Sequence, residues 1–187
     1  MLLEKNNVSA KKIIITGGPG TGKTSVIKSL SDKGYICFPE VSRQITLEAR
    51  KEGVDQLFLE DPLLFSQKLL EGRTSQFLEA NKYYNETIFI DRGIPDIIAY
   101  MDYTQQQYPD YFTEACEKYI YDTIFLLPPW EAIYVSDEER YENFEQAVAI
   151  HDYLEKAYIK CGYDLIDVPT GKVDFRVNFI ENVIKNN

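Results

Sequence analysis

Short apolar runs rich in β-branched residues alternate along the chain with longer stretches in which apolar residues recur at helical spacing. The apolar runs occupy residues 13–15, 35–39, 87–91, 123–127 and 163–169. Each run is too short for a helix and is bounded by glycine, proline or charged residues, which predicts five buried strands. Strands that alternate with helices predict an α/β fold of three layers, with a parallel sheet covered by helices on both faces.

The segments between these runs predict the helices. They span residues 24–30, 40–53, 61–84, 91–103, 147–162 and 173–184, with one more helix from about residue 111. Asp61 followed by Pro62 is a typical helix start, and the stretch that follows should be the longest helix. Residues 128–146 are charged and loop-like. The 187 residues fit a single domain, in which residues 1–10 are expected to be a flexible lead-in.

A glycine-rich turn follows the first strand. Gly17, Gly22, Lys23 and Thr24 fill the fixed positions of the phosphate-loop pattern G-x-x-x-x-G-K-[ST], between a predicted strand and a predicted helix. Lys23 would contact the β- and γ-phosphates of a nucleotide, and the Thr24 hydroxyl would bind Mg²⁺. The expected nucleotide contacts are Gly17, Gly18, Pro19, Gly20, Thr21, Gly22, Lys23, Thr24 and Ser25. Both ATP and GTP fit this pattern.

Charged residues at the carboxyl ends of other strands are candidates for the chemistry, because ligands of parallel α/β folds bind at that edge. Asp91 would hold Mg²⁺ beside Thr24 or cap the next helix. Arg92 would contact the phosphates or the acceptor, or pair with a neighbouring carboxylate. Glu40 would accept a proton from a substrate hydroxyl, or act as a first-turn acid that favours the helix dipole.

Other charged and aromatic residues are weaker candidates. Arg43 lies one turn after Glu40 and could pair with it or bind the acceptor. Arg140, in the charged segment after the fourth strand, would act from a mobile lid or belong to a solvated cap. An acceptor pocket could include Gln67, Arg73, Tyr83, Asp96 or Tyr100. His151, the single histidine, lies in a helical run and is expected to be structural.

The composition argues against several classes of partner. A net charge of −10 and a pI near 4.7 disfavour a nucleic-acid surface and an anionic membrane face. No apolar run approaches the roughly 18 residues of a membrane span, and no signal-peptide pattern is visible, so a cytoplasmic protein is expected. Cys37, Cys116 and Cys161 lack metal-ligand spacing, which predicts buried thiols in a reducing compartment.

Four sequence blocks together resemble a known family. They are GGPGTGKT, FPEVSRQI, FIDRGIPDIIAYMDY and residues 125–169. They look like the predicted-ATPase family that unites ribosylnicotinamide kinase-type domains with the animal TRPL-translocation-defect proteins, and the similarity covers about residues 11–184. The wider group it is similar to is the P-loop nucleoside and nucleotide kinases. That resemblance implies five parallel strands in the order 2-3-1-4-5 and a lid after the fourth strand.

The resemblance also implies roles for individual residues. Glu40 falls at the position of the base that acts on the sugar hydroxyl, and Asp91 and Arg92 fall on the acid-arginine pair after strand three. Asp96 falls approximately on an acid that touches the acceptor base. The lid differs from the family, since it offers a single arginine, Arg140, where those kinases use several. The animal relatives are linked to GTP and acidic lipids, for which the net charge here gives no independent support.

The leading hypothesis is a cytosolic kinase that uses ATP and Mg²⁺ to phosphorylate a nucleoside-like or ribosyl hydroxyl, acting as a monomer or homodimer. The alternative is a nucleotide-binding regulatory module, using ATP or GTP, that controls a protein or lipid partner. A chaperone-like AAA ATPase is a third and weaker hypothesis, because the chain lacks room for the usual helical subdomain.

Overall fold

One parallel sheet forms the centre of the protein. A computed structural model describes residues 8–134 and 142–186. The strands are Lys11–Gly17 (β1), Ile36–Phe38 (β2), Thr87–Asp91 (β3), Thr123–Leu127 (β4) and Leu165–Asp167 (β5). They pair in parallel in the order β2-β3-β1-β4-β5. The predicted α/β class, the five strands and the 2-3-1-4-5 order are therefore confirmed.

Helices connect the strands. Within the described residues they are Lys23–Asp32 (α1), Val41–Lys51 (α2), Leu57–Glu60 (α3), Pro62–Ala80 (α4), Pro95–Tyr103 (α5), Tyr111–Lys118 (α6), Phe144–Lys160 (α7) and Val173–Asn186 (α8). A 3₁₀ turn at Glu131–Ile133 lies in the segment expected to be loop. In the part of the chain that the structure describes, none of these helices combines the length and apolarity needed to span a bilayer.

The helix boundaries differ from the sequence expectation in several places, and α5 begins at Pro95 rather than at residue 91. The short helix α3 was not predicted, and α4 ends at Ala80 rather than near residue 84. Helix α7 begins three residues earlier than expected, because Asn143 and Gln146 form a reciprocal capping box. The start of α4 is confirmed, since the Asp61 side chain accepts a hydrogen bond from the backbone N–H of Leu64 at 3.0 Å.

Alternate residues of β1 face opposite layers of the fold. Ile13 and Ile15 pack with residues of α1 and α8 on one face of the sheet. Ile14 packs on the other face with residues of α2, α4 and α5. Because both faces are covered, the centres of β1 and β3 are continuous apolar runs, Ile13–Ile15 and Ile88–Ile90, which explains why they were visible in the sequence.

The register of the sheet brings the candidate residues to one edge. Ile15 of β1 pairs with Asp91 of β3, and the backbone N–H of Arg92 donates to the Ile15 carbonyl at 3.2 Å. Residues 17–22 leave β1 at this edge, and Glu40 follows β2 at the same edge. The phosphate loop and the three charged side chains therefore come from neighbouring strands.

Residues 8–10 are part of the fold and not of a flexible lead-in. Ser9 forms an antiparallel bridge with Tyr84, and the Val8 N–H donates to the Asn85 side chain at 3.2 Å. Ala10 is 2% exposed and lies in the core. The expectation for residues 1–10 is wrong for these three, because they pair with the turn that precedes β3; residues 1–7 lie outside the described part of the chain.

The three cysteines are free thiols at different depths. Cys116 is buried, whereas Cys37 and Cys161 are half-buried, so the expectation of buried thiols holds fully for one of them. The Cys116 and Cys161 thiols lie close enough to interact with each other. Burial raises the pKa of Cys37 to about 11, so this thiol is protonated at neutral pH.

A close helix contact fixes the position of α2. A Cβ atom built on Gly72 of α4 would lie 2.4 Å from Cγ1 of Val41, the first residue of α2. Only glycine allows the two helices to approach this closely. Because Glu40 immediately precedes Val41, this contact also fixes where the candidate base lies.

We expect Gly72→Ala to lower the free energy of unfolding by about 1–2 kcal/mol, because the overpacking at Val41 exceeds the gain in helix propensity. Urea denaturation measures the change. Ser75→Ala, an exposed substitution on the same helix, is the matched control and should change stability by less than about 0.5 kcal/mol. If the Gly72 variant is as stable as this control, the close contact with Val41 does not exist.

Candidate active site

The phosphate loop encloses its own lysine. Gly22 has φ of +84° at the N-cap of α1, a conformation that favours glycine. The Lys23 ammonium donates to the carbonyls of Gly17 and Gly18, both at 2.8 Å, and the Thr21 hydroxyl donates to Gly18 at 3.0 Å. Burial and the nearby positive charge of Arg92 lower the pKa of Lys23 to about 8. The loop therefore holds a desolvated cation that a phosphate would stabilise.

Three other segments pack against the phosphate loop. A Cβ on Gly18 would lie 2.9 Å from the Ala147 carbonyl of α7, and a Cβ on Gly20 would lie 2.5 Å from the Tyr134 ring. Nη1 of Arg176 in α8 donates to the Thr21 carbonyl at 2.8 Å. The shape of the loop thus depends on contacts far along the chain.

The sequence analysis did not identify Arg176. This side chain is 2% exposed, and its Nε and Nη2 groups have no hydrogen-bond partner among the described residues. A signal was available, because Arg176 lies on the apolar stripe of α8 with Val173, Val177 and Ile180. A cation on a buried stripe is rare unless it binds something.

Asp91 presents an unsatisfied oxygen. It is 6% exposed, and its Oδ1 atom has no partner within the described residues. Burial raises the pKa of Asp91 to about 6, although the positive charge of Lys23 opposes the shift. Asp91 does not cap the following helix, because the N-cap of α5 is Ile94 and the cap has no side-chain hydrogen bond.

Asp91 and Thr24 line the same cavity, and together they fit a hard cation. Mg²⁺ prefers oxygen ligands and usually retains several waters, so a hydroxyl and one carboxylate with a free oxygen suffice on the protein side. The orphaned Oδ1 atom is the feature that an ion would satisfy.

Arg92 lies between two carboxylates. Its Nε donates to Oε1 of Glu40 and its Nη1 to Oδ1 of Asp96, each at 2.9 Å. The guanidinium also lies 5.4 Å from the centre of the Tyr100 ring. Of the two roles considered for Arg92, the geometry matches the ion pair with a neighbouring carboxylate. Arg92 pairs with two carboxylates, where the sequence analysis considered one.

Glu40 is ionised but weakly basic. Burial alone would raise its pKa, but the positive charges of Arg92 and Lys23 outweigh burial and lower the pKa to about 2. Its salt bridge goes to Arg92, not to Arg43. A carboxylate with this pKa accepts hydrogen bonds well and removes protons poorly, so Glu40 is better suited to orienting a hydroxyl than to deprotonating it.

Asp96 is a structural carboxylate in this fold. It is fully buried and accepts hydrogen bonds from Thr16 Oγ1 at 2.7 Å, Tyr158 Oη at 2.6 Å, Gly93 N at 3.0 Å and Arg92 Nη1 at 2.9 Å. Burial opposes its ionisation, but the charges of Arg92 and Arg73 lower its pKa. The expectation that Asp96 contacts the acceptor is wrong, because four hydrogen-bond donors already occupy its carboxylate oxygens.

Most of the weaker candidates lie away from the cavity. Arg73 is buried and donates to the Gly93 carbonyl at 2.7 Å, and Gln67 donates to the Tyr111 hydroxyl at 2.8 Å. Tyr83 packs against Phe38, Tyr100 lies beside Arg92, and His151 is half-buried in α7. Arg43, by contrast, lines the cavity. Arg140 lies outside the described residues, as do the other residues of segment 135–141 in the expected lid.

The cavity itself is an open groove of about 600 Å³ between α1 and α2. Thr24, Glu40 and Asp91 lie along its wall, so the groove joins the end of the phosphate loop to the two candidate carboxylates. A small acceptor in this groove would lie beside the position that the γ-phosphate of a bound nucleotide would take.

Comparison with protein families identifies the chain. A sequence model described as an AAA domain matches residues 12–176. The chain belongs to this AAA-domain family. The match runs from β1 through the phosphate loop to Arg176 in α8. No curated protein matches the sequence.

Solved structures similar to this AAA-domain protein include several kinases. Deoxyadenosine kinase from M. mycoides, with products dCMP and a flexible dCDP bound, gives a TM-score of 0.70 at 19% identity and covers 94% of this chain and 100% of its own. NadR protein in complex with NR gives 0.70 at 15% identity over 95% of this chain and 50% of its own. Thymidylate kinase from Candida albicans gives 0.64 at 19% identity over 96% and 92%. At these identities the likeness establishes a P-loop kinase-like fold.

We expect Asp96→Asn to destabilise the AAA-domain protein by about 3 kcal/mol or more, because it leaves the buried Arg92 with one carboxylate fewer. Chemical denaturation measures the change. Asp102→Asn, on the same helix, keeps an oxygen that can accept the hydrogen bond from Tyr108 and loses only the charge, so it should cost about 1 kcal/mol or less. Equal effects of the two substitutions would contradict the central role of Asp96.

We expect Arg176→Met to weaken nucleotide binding about tenfold, because the Thr21 carbonyl loses its donor and the loop loses a positive charge. Thermal stability should change little, since two buried N–H groups without partners are removed together with one hydrogen bond. Calorimetric titration with a non-hydrolysable ATP analogue measures the affinity. Lys185→Met at the end of α8 is the control, and an unchanged affinity in the Arg176 variant would exclude the role.

Proposed function

We propose that the protein is a kinase that transfers the γ-phosphoryl group of ATP, with Mg²⁺, to a hydroxyl of a nucleoside-like or ribosyl small molecule. The observation that carries the proposal is the groove in which Thr24, Glu40 and Asp91 lie together beside the phosphate loop. A nucleotide site, a metal-binding pair and an acid suited to a hydroxyl are the parts that phosphoryl transfer requires.

The phosphate loop would bind the β- and γ-phosphates. Backbone N–H groups and the dipole of α1 favour the anion, and Lys23 would exchange its bonds with the Gly17 and Gly18 carbonyls for bonds with phosphate oxygens. Thr24 and Asp91 would hold Mg²⁺, which offsets charge on the transferring group when bound. Lys23 and the loop thus fix the phosphoryl donor against the groove.

Glu40 would fix the acceptor. Its carboxylate accepts a hydrogen bond from the acceptor hydroxyl, which aligns the oxygen with the γ-phosphorus, while Arg92 holds the carboxylate in place at 2.9 Å. The acceptor oxygen bonds to the γ-phosphorus as the bond to the bridging oxygen breaks and ADP leaves. Because the transition state is loose, the hydroxyl proton leaves late and can pass to an oxygen of the transferred phosphoryl group, so Glu40 needs only to orient the hydroxyl.

The comparisons support the class of reaction but not the acceptor. The similar structures include kinases for a nucleoside and a nucleotide and a NadR protein in complex with NR. These share the fold at 15–19% identity. The proposal of a nucleoside-like or ribosyl acceptor rests on this structural similarity together with the groove. We expect the protein to act in the cytoplasm.

One observation favours a second function, a nucleotide-controlled regulatory module. The Tyr134 ring packs on Gly20 of the phosphate loop, and the Tyr134 hydroxyl donates to the Glu142 carbonyl. A nucleotide that moved Gly20 would therefore also move the two residues that flank segment 135–141. Such coupling would suit a protein whose ATP or GTP state controls a partner.

We expect Glu40→Gln to leave the affinity for ATP within about twofold and to lower the rate of phosphoryl transfer about 100-fold or more. ADP release is measured with Mg²⁺ and a panel of nucleosides, ribosylnicotinamide and nucleoside monophosphates. Lys23→Ala, which should abolish turnover, is the blank, and Glu52→Gln at the exposed end of α2 is the matched control. Thermal denaturation confirms that each variant is folded.

An unchanged rate of phosphoryl transfer in the Glu40 variant would show that Glu40 does not orient the acceptor hydroxyl. Acceptor-stimulated ADP release would identify a kinase, whereas slow release that no acceptor accelerates would favour the regulatory module.

A further inference from the structure

The groove runs along one face of each of two helices. From α1 it is lined by Thr24, Ile27, Lys28 and Ser31, and from α2 and its N-cap by Glu40, Arg43, Gln44, Leu47, Glu48 and Lys51. These residues recur three and four positions apart, so each set lies on a single helical face. The groove therefore starts at the proposed reaction centre and extends outward between the two helices.

The walls of this groove carry cations without partners. Lys28, Arg43 and Lys51 are exposed, and no carboxylate within residues 8–134 and 142–186 forms a salt bridge with any of them. Glu40 is already paired with Arg92, and Glu48 accepts a hydrogen bond from Gln44 at 2.9 Å. Beyond the reaction centre, the groove thus has three cations and one carboxylate, in a chain whose net charge is −10.

Two of these cations line the groove from different helices, each about one turn after a residue of the reaction centre. Lys28 is four residues after Thr24, and Arg43 is three residues after Glu40. At about 1.5 Å of rise per residue, Lys28 lies about 6 Å along α1 from Thr24, and Arg43 lies about 4.5 Å along α2 from Glu40. An ammonium and a guanidinium on opposite walls form a pair suited to a dianionic group.

We propose that the acceptor carries a phosphomonoester, held between Lys28 and Arg43 about one helical turn from the hydroxyl that is phosphorylated. This inference rests on the proposed kinase function and narrows its substrate from neutral nucleoside-like molecules to phosphorylated ones. The phosphates of ATP are bound elsewhere, at the phosphate loop and the first turn of α1, whereas Lys28 lies beyond that turn.

Binding of matched ligand pairs tests the proposal without requiring turnover. The pairs are ribose with ribose 5-phosphate, and adenosine, guanosine, cytidine and uridine each with its 5′-monophosphate. Calorimetry is carried out with Mg²⁺ and a non-hydrolysable ATP analogue present. For at least one pair, we expect the phosphorylated member to bind about tenfold or more tightly than its neutral partner. The preference should weaken as salt is raised, because exposed cations are screened.

The double variant Lys28→Gln, Arg43→Gln should remove this preference while it retains the affinity for the ATP analogue. Lys160→Gln, Lys185→Gln is the control, because it removes the same charge at the exposed ends of α7 and α8 and should keep the preference. Gln keeps a long polar side chain at exposed positions, so the fold should not change.

Three results would overturn the phosphomonoester site. The first is equal binding of the two members of every pair, which includes no binding of either at millimolar concentration. The second is a preference for the phosphorylated member that survives in the double variant. The third is a double variant that loses affinity for the ATP analogue and not for the acceptor. The two proposals fail separately. Phosphomonoester binding that depends on Lys28 and Arg43 but gives no ADP release supports the anion site and refutes the kinase. Transfer to neutral nucleosides that the double variant retains supports the kinase and refutes the anion site.

Discussion

The guanidinium of Arg92, held between two carboxylates, is the interaction on which the candidate site depends. It donates to Glu40 and to Asp96 at 2.9 Å, and Asp96 in turn accepts hydrogen bonds from Thr16 of β1 and Tyr158 of α7. One charge cluster therefore joins the ends of three strands to two helices. Arg92 has φ of +71°, an uncommon conformation for a residue with a side chain, and these contacts hold it there. Loss of one member would leave a buried charge uncompensated, so the cluster specifies a single arrangement of this edge of the sheet.

Three carboxylates at this edge of the sheet, the two of the charge cluster and Asp91, differ in chemistry because their partners differ. Asp96 has four donors and a lowered pKa, which makes it a fixed structural anion. Glu40 has one strong partner and a pKa of about 2, yet it reaches the groove, so its free lone pairs are available to a hydroxyl. Asp91 has a buried oxygen without a partner among residues 8–134 and 142–186, and its pKa is raised to about 6. Buried carboxylate oxygens normally have a partner, and the proposed Mg²⁺ would supply one for this oxygen.

The sequence predicted the features whose causes are local. Strand runs, the order of elements and the phosphate loop follow from residues near one another in the chain, and the Asp61 cap is of the same kind. The missed or misassigned features depend on contacts between distant residues. Arg176 lies 155 positions from Thr21, and Tyr158 lies 62 positions from Asp96. Asp96 follows the Asp91-Arg92 pair closely in the sequence and therefore looked functional. Only the fold shows that four hydrogen-bond donors already surround its carboxylate.

The distribution of charge supports a small ligand at the groove. The chain carries 30 acidic residues against 20 basic ones, so an extended polyanion would meet repulsion over most of the surface. Of the five buried cations in the described part of the chain, all but Lys12 lie around the phosphate loop and the charge cluster, and three exposed cations line the adjacent groove. Basic residues are thereby concentrated near this groove. A small phosphorylated molecule can enter such a region, whereas a nucleic acid or an anionic bilayer would also have to contact the acidic surface around it.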